Sequence, residues 1–300
     1  MKVAITGASG FIGSSLGRAL GPAGYDVVPV VRRRPGPGEI GWDPLSGDID
    51  PDGLAGVDAV IHLAAENVAT WRWNDPHKRR ILDSRVTGTR TLATALARLP
   101  RPPGVLVSAS AIAFYGDRGA AWLTEASGAG SGFGAEVCQA WEAATEAARS
   151  AGIRVVHLRT GIVLDRRGGA LRRLLPVFRF GLGGRYGSGT QYMSWISLDD
   201  ELRAIRFVLG TDGVSGPVNL TAPEPVTNAA FTAALAGVLR RPAVLGAPAG
   251  LLRVMLGREM ADELLLTSQR VRPEVLLDHG FAFRHPGLDA GLAAALAPAA

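Results

Sequence analysis

Short apolar runs along the chain alternate with longer stretches in which apolar residues recur every three or four positions. The first run, "KVAIT" at residues 2–6, predicts a buried strand, and a helix with Phe11, Leu16 and Leu20 on one face follows it. The same alternation continues through "YDVVPVV", "VDAVIHLAA", a helix over 76–98, "GVLVSAS", a helix over 134–151 and "IRVVHLR". Near-continuous apolar strands separated by helices predict an α/β fold with a doubly wound parallel sheet.

The regular alternation of strands and helices ends at about residue 165. A glycine-rich loop comes first, then a helix in "SLDDELRAIRFVL" and a strand in "GPVNLTA". The remainder reads as mostly helical, with helices over 227–240, 248–257 and 259–267. We therefore predict two units: a Rossmann-like domain built on the parallel sheet (1–165 with 198–222) and a smaller, mostly helical C-terminal lobe (166–197 with 223–300). In a doubly wound fold ligands bind at the carboxyl ends of the strands, so a lobe over that edge would close a substrate cleft.

The composition is that of a globular protein, with 47% hydrophobic residues, 20% charged residues and a formal net charge of +5. The basic residues stand in short separate clusters without interleaved aromatic residues, so nucleic acid is not an expected partner. No apolar run reaches membrane-spanning length and the N-terminal residues lack a signal-peptide pattern, so a cytoplasmic protein without a membrane partner is expected. The single cysteine, Cys138, fits a reducing compartment. A homo-oligomer is compatible with the sequence.

A glycine-rich turn separates the first strand from the first helix. In "TGASGFIG", Gly7, Gly10 and Gly13 have the spacing G-x-x-G-x-x-G. Such a turn lets the chain reverse at Gly7, lets the backbone approach a pyrophosphate near Gly10, and lets the helix pack on the strand at Gly13. The helix N-terminus adds free N–H groups for phosphate. The turn predicts dinucleotide binding in a Rossmann-like domain; a plain glycine turn is the alternative.

The end of the second strand indicates which dinucleotide is bound. A carboxylate there would bind the ribose 2′-hydroxyl of NAD, whereas this chain reads Val31, Arg32, Arg33, Arg34. Arginine pairs well with a 2′-phosphate, so the sequence favours NADP. A solvated basic turn without ligand is the alternative interpretation.

Several segments, in order, resemble landmarks of the extended short-chain dehydrogenase/reductases of the epimerase/dehydratase superfamily. They are "TGASGFIG", "VIHLAA", "VTGTRTL", "SASAIAFYGD", "LRTGIVL" and "GSGTQYMSWISLDD". The segments "HLAAEN", "LLPVFRFGLGG" and "GFAFR" are similar to an atypical subgroup often named epimerase family proteins. The resemblance covers essentially the whole chain and implies an NADP-dependent oxidoreductase or epimerase-like enzyme.

The resemblance implies roles for individual residues. The pyrophosphate loop would comprise Gly7, Ser9, Gly10, Phe11, Ile12 and Gly13. Arg32, with Arg33 beside it, would meet the 2′-phosphate, while Leu63 and Ala64 would pack near the adenosine half. Arg85 stands where many relatives have asparagine and would reach the cofactor from its helix. Ser108 and Ser110 end the strand on which relatives carry a catalytic serine, and counting back from "YGD" favours Ser110.

The sequence departs from the family at the catalytic pair. Active relatives carry Tyr-x-x-x-Lys at the start of the helix that here reads "GFGAEVCQAWEAA". Aligning on Glu142 puts Gly134 and Cys138 at those two positions, and a shift by one residue puts Phe133 and Val137 there. Neither register supplies the tyrosine that moves a proton or the lysine that lowers its pKa. If the chain catalyses a reaction, Tyr115 or Glu66 would supply the proton while Ser110 polarises a carbonyl.

Other polar and aromatic positions carry two interpretations each. Met193 and Ser194 occupy the places where nucleotide-sugar enzymes commonly have Arg-Asp. The arginine of that pair grips the substrate diphosphate, so its absence here counts against such a substrate. His62, inside an apolar strand, is expected to be a hydrogen-bonded core residue, and Glu66 either faces the nicotinamide or is a loop carboxylate. The tryptophans Trp71, Trp73 and Trp195 either line a cleft or pack in the core. No cluster has metal-ligand spacing, so no metal is expected.

Two functions therefore remain open from the sequence. The first is an NADP-dependent oxidoreductase or epimerase-like enzyme that acts on an unidentified small molecule with an unusual proton donor. The second is an NADP-binding sensor or regulatory protein that uses the fold without turnover. The lost pair favours the second, whereas the retained serine and the lobe over the cleft favour the first, which we prefer.

Overall fold

A single large sheet organises the molecule. The computed structural model describes residues 1–44, 46–70 and 72–297, and within these residues the sheet has eight strands in the order β12-β8-β6-β5-β1-β2-β3-β4. The strands of the sheet are β1 (Lys2–Thr6), β2 (Asp26–Val31), β3 (Ile40–Asp43), β4 (Asp48–Ile49), β5 (Ala59–His62), β6 (Val105–Ala111), β8 (Arg154–Thr160) and β12 (Gly216–Leu220). All neighbouring pairs are parallel except β3 with β4. The predicted fold class is confirmed.

Helices cover both faces of this sheet and form most of the C-terminal part. They are α1 (Phe11–Leu20), α2 (Pro51–Leu54), α3 (Asp75–Ala97), α4 (Phe133–Ala143), α5 (Glu146–Ser150), α6 (Gly169–Arg179), α7 (Leu198–Gly210), α8 (Asn228–Leu239), α9 (Ala249–Leu256), α10 (Arg258–Ala261), α11 (Glu274–Asp278) and α12 (Leu288–Leu296). The short strands outside the sheet are β7 (Trp122–Leu123), β9 (Ile162–Leu164), β10 (Tyr192–Met193), β11 (Trp195–Ser197), β13 (Val226–Thr227) and β14 (Arg270–Val271). A π-helical turn over Asp262–Leu266 follows α10.

The structure differs from the sequence prediction in several elements, among them helix α6, which was not predicted. Strands β3 and β4 lie in a stretch rich in glycine and proline to which the sequence pattern assigned no element, although Ile40 and Trp42 are buried on one face of β3. The predicted helix over 134–151 is interrupted at Thr145, whose hydroxyl donates to the Glu142 carbonyl at 2.8 Å and contacts His157 Nε2 at 2.9 Å. A serine or threonine that bonds back to the preceding turn competes with helix continuation. The final helix, α12, was not predicted.

Three apolar clusters hold these elements together. One fills the face of the sheet covered by α1 and α7, and a second fills the face covered by α3 and α5. Burial on both faces explains why strands such as β5 read as unbroken apolar runs. The third cluster joins α6, α8 and α12 around the fully buried Trp195. The boundaries of the two domains stay a prediction. Leu276 and Phe281, which belong to the predicted C-terminal lobe, pack into the first cluster.

Three buried titratable groups make stability depend on pH. Burial lowers the pKa of His62 and of His157 to about 4, and burial raises the pKa of Glu201 to about 8. His62 is hydrogen-bonded to the hydroxyl groups of Thr6 and Thr89, and His157 is hydrogen-bonded to the hydroxyl group of Thr145. Glu201 Oε2, by contrast, has no partner among the described residues. None of the described helices is long and apolar enough to span a membrane.

We expect stability to be greatest near pH 6.5. Below that pH the unfolded chain protonates its histidines while the folded chain does not, so folding weakens as the pH falls towards 4, by roughly 3 kcal/mol per histidine. Glu201 acts in the opposite sense: the folded chain keeps a proton that the unfolded chain loses above about pH 4.5, so its contribution fades as the pH rises to about 8. The free energy of unfolding, measured with urea between pH 5 and pH 8, tests the loss of stability on the acidic limb and on the alkaline limb of this pH profile. Glu201→Gln should remove the alkaline limb and the exposed control Glu136→Gln should keep it, whereas a wild-type plateau above pH 6.5 would contradict the assignment.

The packing of α12 gives a second prediction. A Cβ on Gly291 would come far inside van der Waals contact with the Trp195 ring, whereas a Cβ on Gly250 in α9 would meet no atom within 4 Å. Gly291→Ala should therefore destabilise the protein by about 1–3 kcal/mol through overpacking. Gly250→Ala, a matched helical control, should be neutral or stabilising by up to about 1 kcal/mol. Urea unfolding distinguishes the two, and equal effects would show that Trp195 yields freely.

Candidate functional site

The glycine turn has the geometry that its spacing predicts. Gly7 adopts φ +68°, and a Cβ there would lie 2.9 Å from the backbone of Leu63 and Ala64. The Gly10 N–H donates to the Gly7 carbonyl at 2.9 Å and closes the turn. A Cβ on Gly13 would collide with that same carbonyl, so Gly13 lets α1 press against the turn itself. Gly7 and Gly13 thus require glycine, whereas a Cβ on Gly10 would meet only the Gly7 carbonyl oxygen, at 3.1 Å.

The N-terminus of α1 is open to a ligand. Its N-cap is Gly10, so no side chain caps the helix, and the first turn contains no acidic residue. Ser9 and Gly10 are exposed, and Phe11 and Ile12 are half-buried beside them. Free N–H groups at a helix N-terminus carry partial positive charge and suit phosphate.

A chain of buried hydrogen bonds fixes the end of β5 against this turn. Thr6 Oγ1 accepts the Leu63 and Ala64 N–H groups at 3.1 and 3.2 Å, and it lies 2.7 Å from His62 Nδ1. The other ring nitrogen of His62 lies 2.9 Å from Thr89 Oγ1. His62 is therefore a hydrogen-bonded core residue, as expected, and it orients the loop that carries Leu63 and Ala64 beside Gly7.

Three arginines follow β2: Arg33 is engaged, whereas the Arg32 and Arg34 side chains are exposed and have no bond with any described residue. Arg33 forms a bidentate ion pair with Glu39, with N–O distances of 2.8 and 2.5 Å. Arg32 is exposed and has no ion pair or hydrogen bond with any described residue. The guanidinium groups of Arg32 and Arg34 are accordingly available to an anionic group, and Arg32 is the one nearer along the chain to the end of β2.

Ser110 at the end of β6 belongs to a buried polar network that the sequence did not reveal. Its hydroxyl donates to Glu142 Oε1 at 2.7 Å, and Arg159 donates from Nε and Nη2 to the two oxygens of the same carboxylate, both at 2.9 Å. Burial by itself raises the pKa of Glu142, but Arg159 and Ser110 outweigh burial and the pKa is lowered. Glu142 is therefore an anion held next to Ser110, and His157 Nδ1 lies 4.0 Å away.

Tyr115 and Ser108 lie deeper than a cleft. Tyr115 is fully buried, and its hydroxyl donates to Asn219 Oδ1 at 2.7 Å while accepting from Arg159 at 3.1 Å. Burial raises the pKa of Tyr115, so its hydroxyl is a poorer acid than an ordinary phenol. Ser108 is also fully buried in the middle of β6. The structure thus brings Ser110 and Tyr115 together through Arg159 but leaves Tyr115 in the interior.

Arg85 reaches from α3 towards α4 and lies near Cys138. Its guanidinium carbon is 4.8 Å from the centre of the Trp141 ring, and its Nη1 donates to the Glu66 carbonyl at 3.0 Å. Burial lowers the pKa of Arg85 to about 10, while the neighbouring Cys138 and Glu66 act to raise it. Cys138, at the lysine position in one register, is itself buried with a pKa raised to about 11. A cation therefore reaches this place from α3.

A carboxylate from the C-terminal part binds the N-terminus of α4. Glu263, in the π-helical turn, accepts the N–H groups of Phe133 and Gly134 at 2.8 and 2.7 Å. It thereby caps α4, and a Cβ on Gly134 would lie 3.1 Å from Glu263 Oε2. Nearby, Lys78 pairs with Glu259 at 2.6 Å and lies 4.5 Å from the centre of the Phe133 ring. No local pattern in the sequence indicated Glu263, which is brought here by tertiary packing.

The predicted aromatic residues divide between surface and core. Trp73 packs edge-on against Phe133 at 5.1 Å, whereas Trp195 is fully buried and belongs to the core. Trp71 lies outside the described residues. Ser194 follows Met193, which stands at the expected position of the diphosphate grip. Ser194 is buried and its hydroxyl donates to the Gln269 carbonyl at 2.7 Å, so this hydroxyl is engaged in a structural hydrogen bond.

One group of potential metal ligands comes together in the fold. Oxygen or nitrogen atoms of Asp199, Asp200 and His285 lie within 4.8 Å of one another. Asp200, however, accepts the N–H groups of Arg284 and His285 at 2.9 and 2.8 Å and pairs with Arg203 at 2.8 Å. These bonds show that the Asp200 carboxylate has a structural role. That the protein binds no metal stays a prediction.

Comparison with known proteins assigns the chain to a family. Residues 3–220 match the NAD dependent epimerase/dehydratase family, and residues 247–295 match a domain of unknown function, DUF1731. The epimerase family protein MT2273 of Mycobacterium tuberculosis is 47% identical over 284 residues, which cover 94% of this chain and 93% of that protein.

Two solved structures are similar over nearly the whole chain. The human epimerase family protein SDR39U1, crystallised with NADPH, superimposes with a TM-score of 0.87 at 34% identity and covers 97% of this chain and 98% of that chain. A nucleoside-diphosphate sugar epimerase from Corynebacterium glutamicum superimposes with a TM-score of 0.83 at 39% identity, covering 99% of this chain and 58% of that chain. The glycine turn, the parallel sheet and these similarities agree: the chain belongs to the NAD-dependent epimerase/dehydratase family.

Proposed function

We propose that this protein binds NADP(H) along the carboxyl edge of its sheet. The uncapped N-terminus of α1 and the close turn at Gly7 and Gly10 suit the pyrophosphate. The free guanidinium of Arg32 suits a 2′-phosphate, and Leu63 and Ala64 offer an apolar contact to the adenosine half. The human SDR39U1 structure, which contains NADPH, supports this choice of cofactor.

The proposed activity is oxidoreduction or epimerisation of a small molecule. When bound, the cofactor supplies a hydride acceptor or donor. The observation that carries the proposal is the Ser110–Glu142–Arg159 network, because Ser110 directs its proton at an ionised carboxylate. If a substrate alcohol were oxidised, its proton would pass to Ser110 Oγ as the Ser110 proton passes to Glu142, and the hydride on its carbon would go to the bound oxidised cofactor. Reduction of a carbonyl runs the same transfers in reverse.

Arg85 and Arg159 support this chemistry by charge. Arg159 holds Glu142 ionised and fixed, and Arg85 supplies a cation where family members carry lysine. In this proposal Arg85 binds the nicotinamide half of the cofactor, and Glu66 faces the same space from its loop. Tyr115 keeps Arg159 in position and takes no part in proton transfer, since its hydroxyl is buried and bonded.

A second function is favoured by one specific contact. Glu263 caps α4 where active family members begin their Tyr-x-x-x-Lys pair, and its carboxylate leaves little room for a side chain at position 134. A protein in which this place is permanently closed would bind NADP(H) and report its level without turnover. Met193 and the bonded Ser194 likewise count against a nucleotide-sugar substrate.

The cofactor proposal predicts a specific loss in Arg32→Ala. Removing a charge-assisted contact to the 2′-phosphate should weaken NADPH binding by about 10- to 100-fold and leave NADH binding unchanged. Arg33→Ala is the matched control, because Arg33 is already paired with Glu39. Calorimetric titration of both cofactors measures the effect. Equal wild-type affinities for NADPH and NADH, or the same loss in both variants, would contradict the assignment.

The catalytic proposal predicts that Ser110→Ala lowers turnover by about 100- to 10,000-fold, the usual range for general acid–base assistance. NADPH affinity should not change, and Tyr115→Phe should lose stability but keep turnover. The assay follows NADPH absorbance with a panel of aldehydes and ketones, and product mass with NADP and UDP-, GDP- and dTDP-sugars. Gly10→Val, which puts a side chain in the path of the pyrophosphate, should lose both binding and turnover. Firm NADPH binding without turnover on any compound would favour the sensor, and wild-type turnover in Ser110→Ala would refute the relay.

A further inference from the structure

We propose that the C-terminal part of this protein docks on the surface of a membrane that contains anionic lipids, through a patch that we call the α6 face. The α6 face comprises the solvent side of α6, the turn that follows it and the loop over 240–247. This inference does not depend on the proposed function.

The α6 face exposes large apolar side chains to solvent. Phe180 is 82% exposed and Val244 is 80% exposed, with Val177, Leu182 and Leu245 exposed beside them. The two segments touch: the Leu245 N–H donates to the Gly183 carbonyl at 3.3 Å, and a Cβ on Gly181 would lie 3.3 Å from Pro242. Contiguous exposed apolar side chains of this size on a soluble domain mark an interaction site.

The same face is rich in positive charge: Arg167 pairs with Asp165, and Arg253 and Arg258 pair with Asp262, but other arginines have no acidic partner among the described residues. Residues 166–198 contain six arginines and no aspartate or glutamate, and residues 225–258 contain four arginines and no acidic residue. Four of these side chains, Arg166, Arg167, Arg172 and Arg179, line an open groove of about 430 Å³ along α6. Arg172, Arg179, Arg240 and Arg241 are exposed and form no ion pair with any described residue.

The buried side of α6 is apolar, and its exposed side mixes basic with apolar side chains. Its inner side, with Leu171, Leu175 and Phe178, is buried in the third apolar cluster. Its outer side exposes arginines and apolar residues but no neutral polar and no acidic side chain. Arginine mixed with protruding apolar residues is the pattern of a segment that lies in a membrane interface, where the guanidinium groups meet lipid phosphates and the apolar groups enter the acyl boundary.

Two other occupants fit these charges or side chains less well. A second copy of the chain, placed face to face about a twofold axis, would bring unpaired arginines against unpaired arginines. A nucleic acid would satisfy the arginines but would leave Phe180 and Val244 without an apolar partner. This proposal departs from the prediction of no membrane partner, which rested on the lack of a spanning segment, because surface docking needs no such segment.

The test is co-sedimentation with lipid vesicles. The full chain is mixed with vesicles of phosphatidylcholine alone, or of phosphatidylcholine with phosphatidylglycerol, at low and high salt. We expect binding only to the vesicles with phosphatidylglycerol, and loss of binding at high salt, which screens surface charge. Arg172→Glu with Arg179→Glu should weaken binding by at least about 25-fold, since each arginine near an anionic surface contributes about fivefold. Phe180→Ser with Val244→Ser should weaken it by at least about tenfold.

The control is Arg98→Glu with Arg101→Glu, which changes the net charge equally at exposed positions before β6. This variant should bind like the wild type, and circular dichroism should show that all variants are folded. Equal loss in the control, no preference for anionic vesicles, or binding that survives loss of Phe180 and Val244 would overturn the proposal. So would absent vesicle binding together with DNA binding, or with self-association that Phe180→Ser abolishes.

Discussion

The buried ion pair between Arg159 and Glu142 is the contact on which the centre of this molecule depends. It joins the end of β8 to α4, and through Ser110, Tyr115 and Asn219 it reaches β6 and β12. Removing one partner of a buried pair leaves an uncompensated charge and typically costs about 3–5 kcal/mol. Because the same pair orients Ser110, the stability of the sheet edge and the geometry of the candidate catalytic serine cannot vary independently.

Much of the fold followed from local patterns. The alternation of apolar runs with helical periodicity is a property of the chain itself, so the parallel sheet and the glycine turn could be predicted from it. The strand at Ile40–Asp43 could not, because its glycine and proline neighbours carry turn signals that only burial of Ile40 and Trp42 overrides. The break at Thr145 likewise depends on a contact with His157 from a neighbouring strand.

The candidate site was predictable in its cofactor half and less so in its chemical half. The glycines are fixed by steric limits on the backbone, which are local. The partners of Ser110, by contrast, are assembled across α4 and β8, and Glu263 reaches α4 from more than a hundred residues away. The contacts of the Glu263 carboxylate and of the Arg85 guanidinium with α4 join distant parts of the chain, so no local pattern could predict them.

The packing of Leu276 and Phe281 into the first apolar cluster has a consequence for synthesis of the chain. These two residues pack into the apolar core on one face of the sheet, and all strands of that sheet lie before residue 221. While the ribosome still holds the last part of the chain, one face of the sheet is incomplete and its apolar surface is open to water or to other chains. Contacts of such large sequence separation form late and slow the folding of a domain. Nascent chains of this protein therefore pass through a vulnerable interval that ends only when the segment after α11 has emerged.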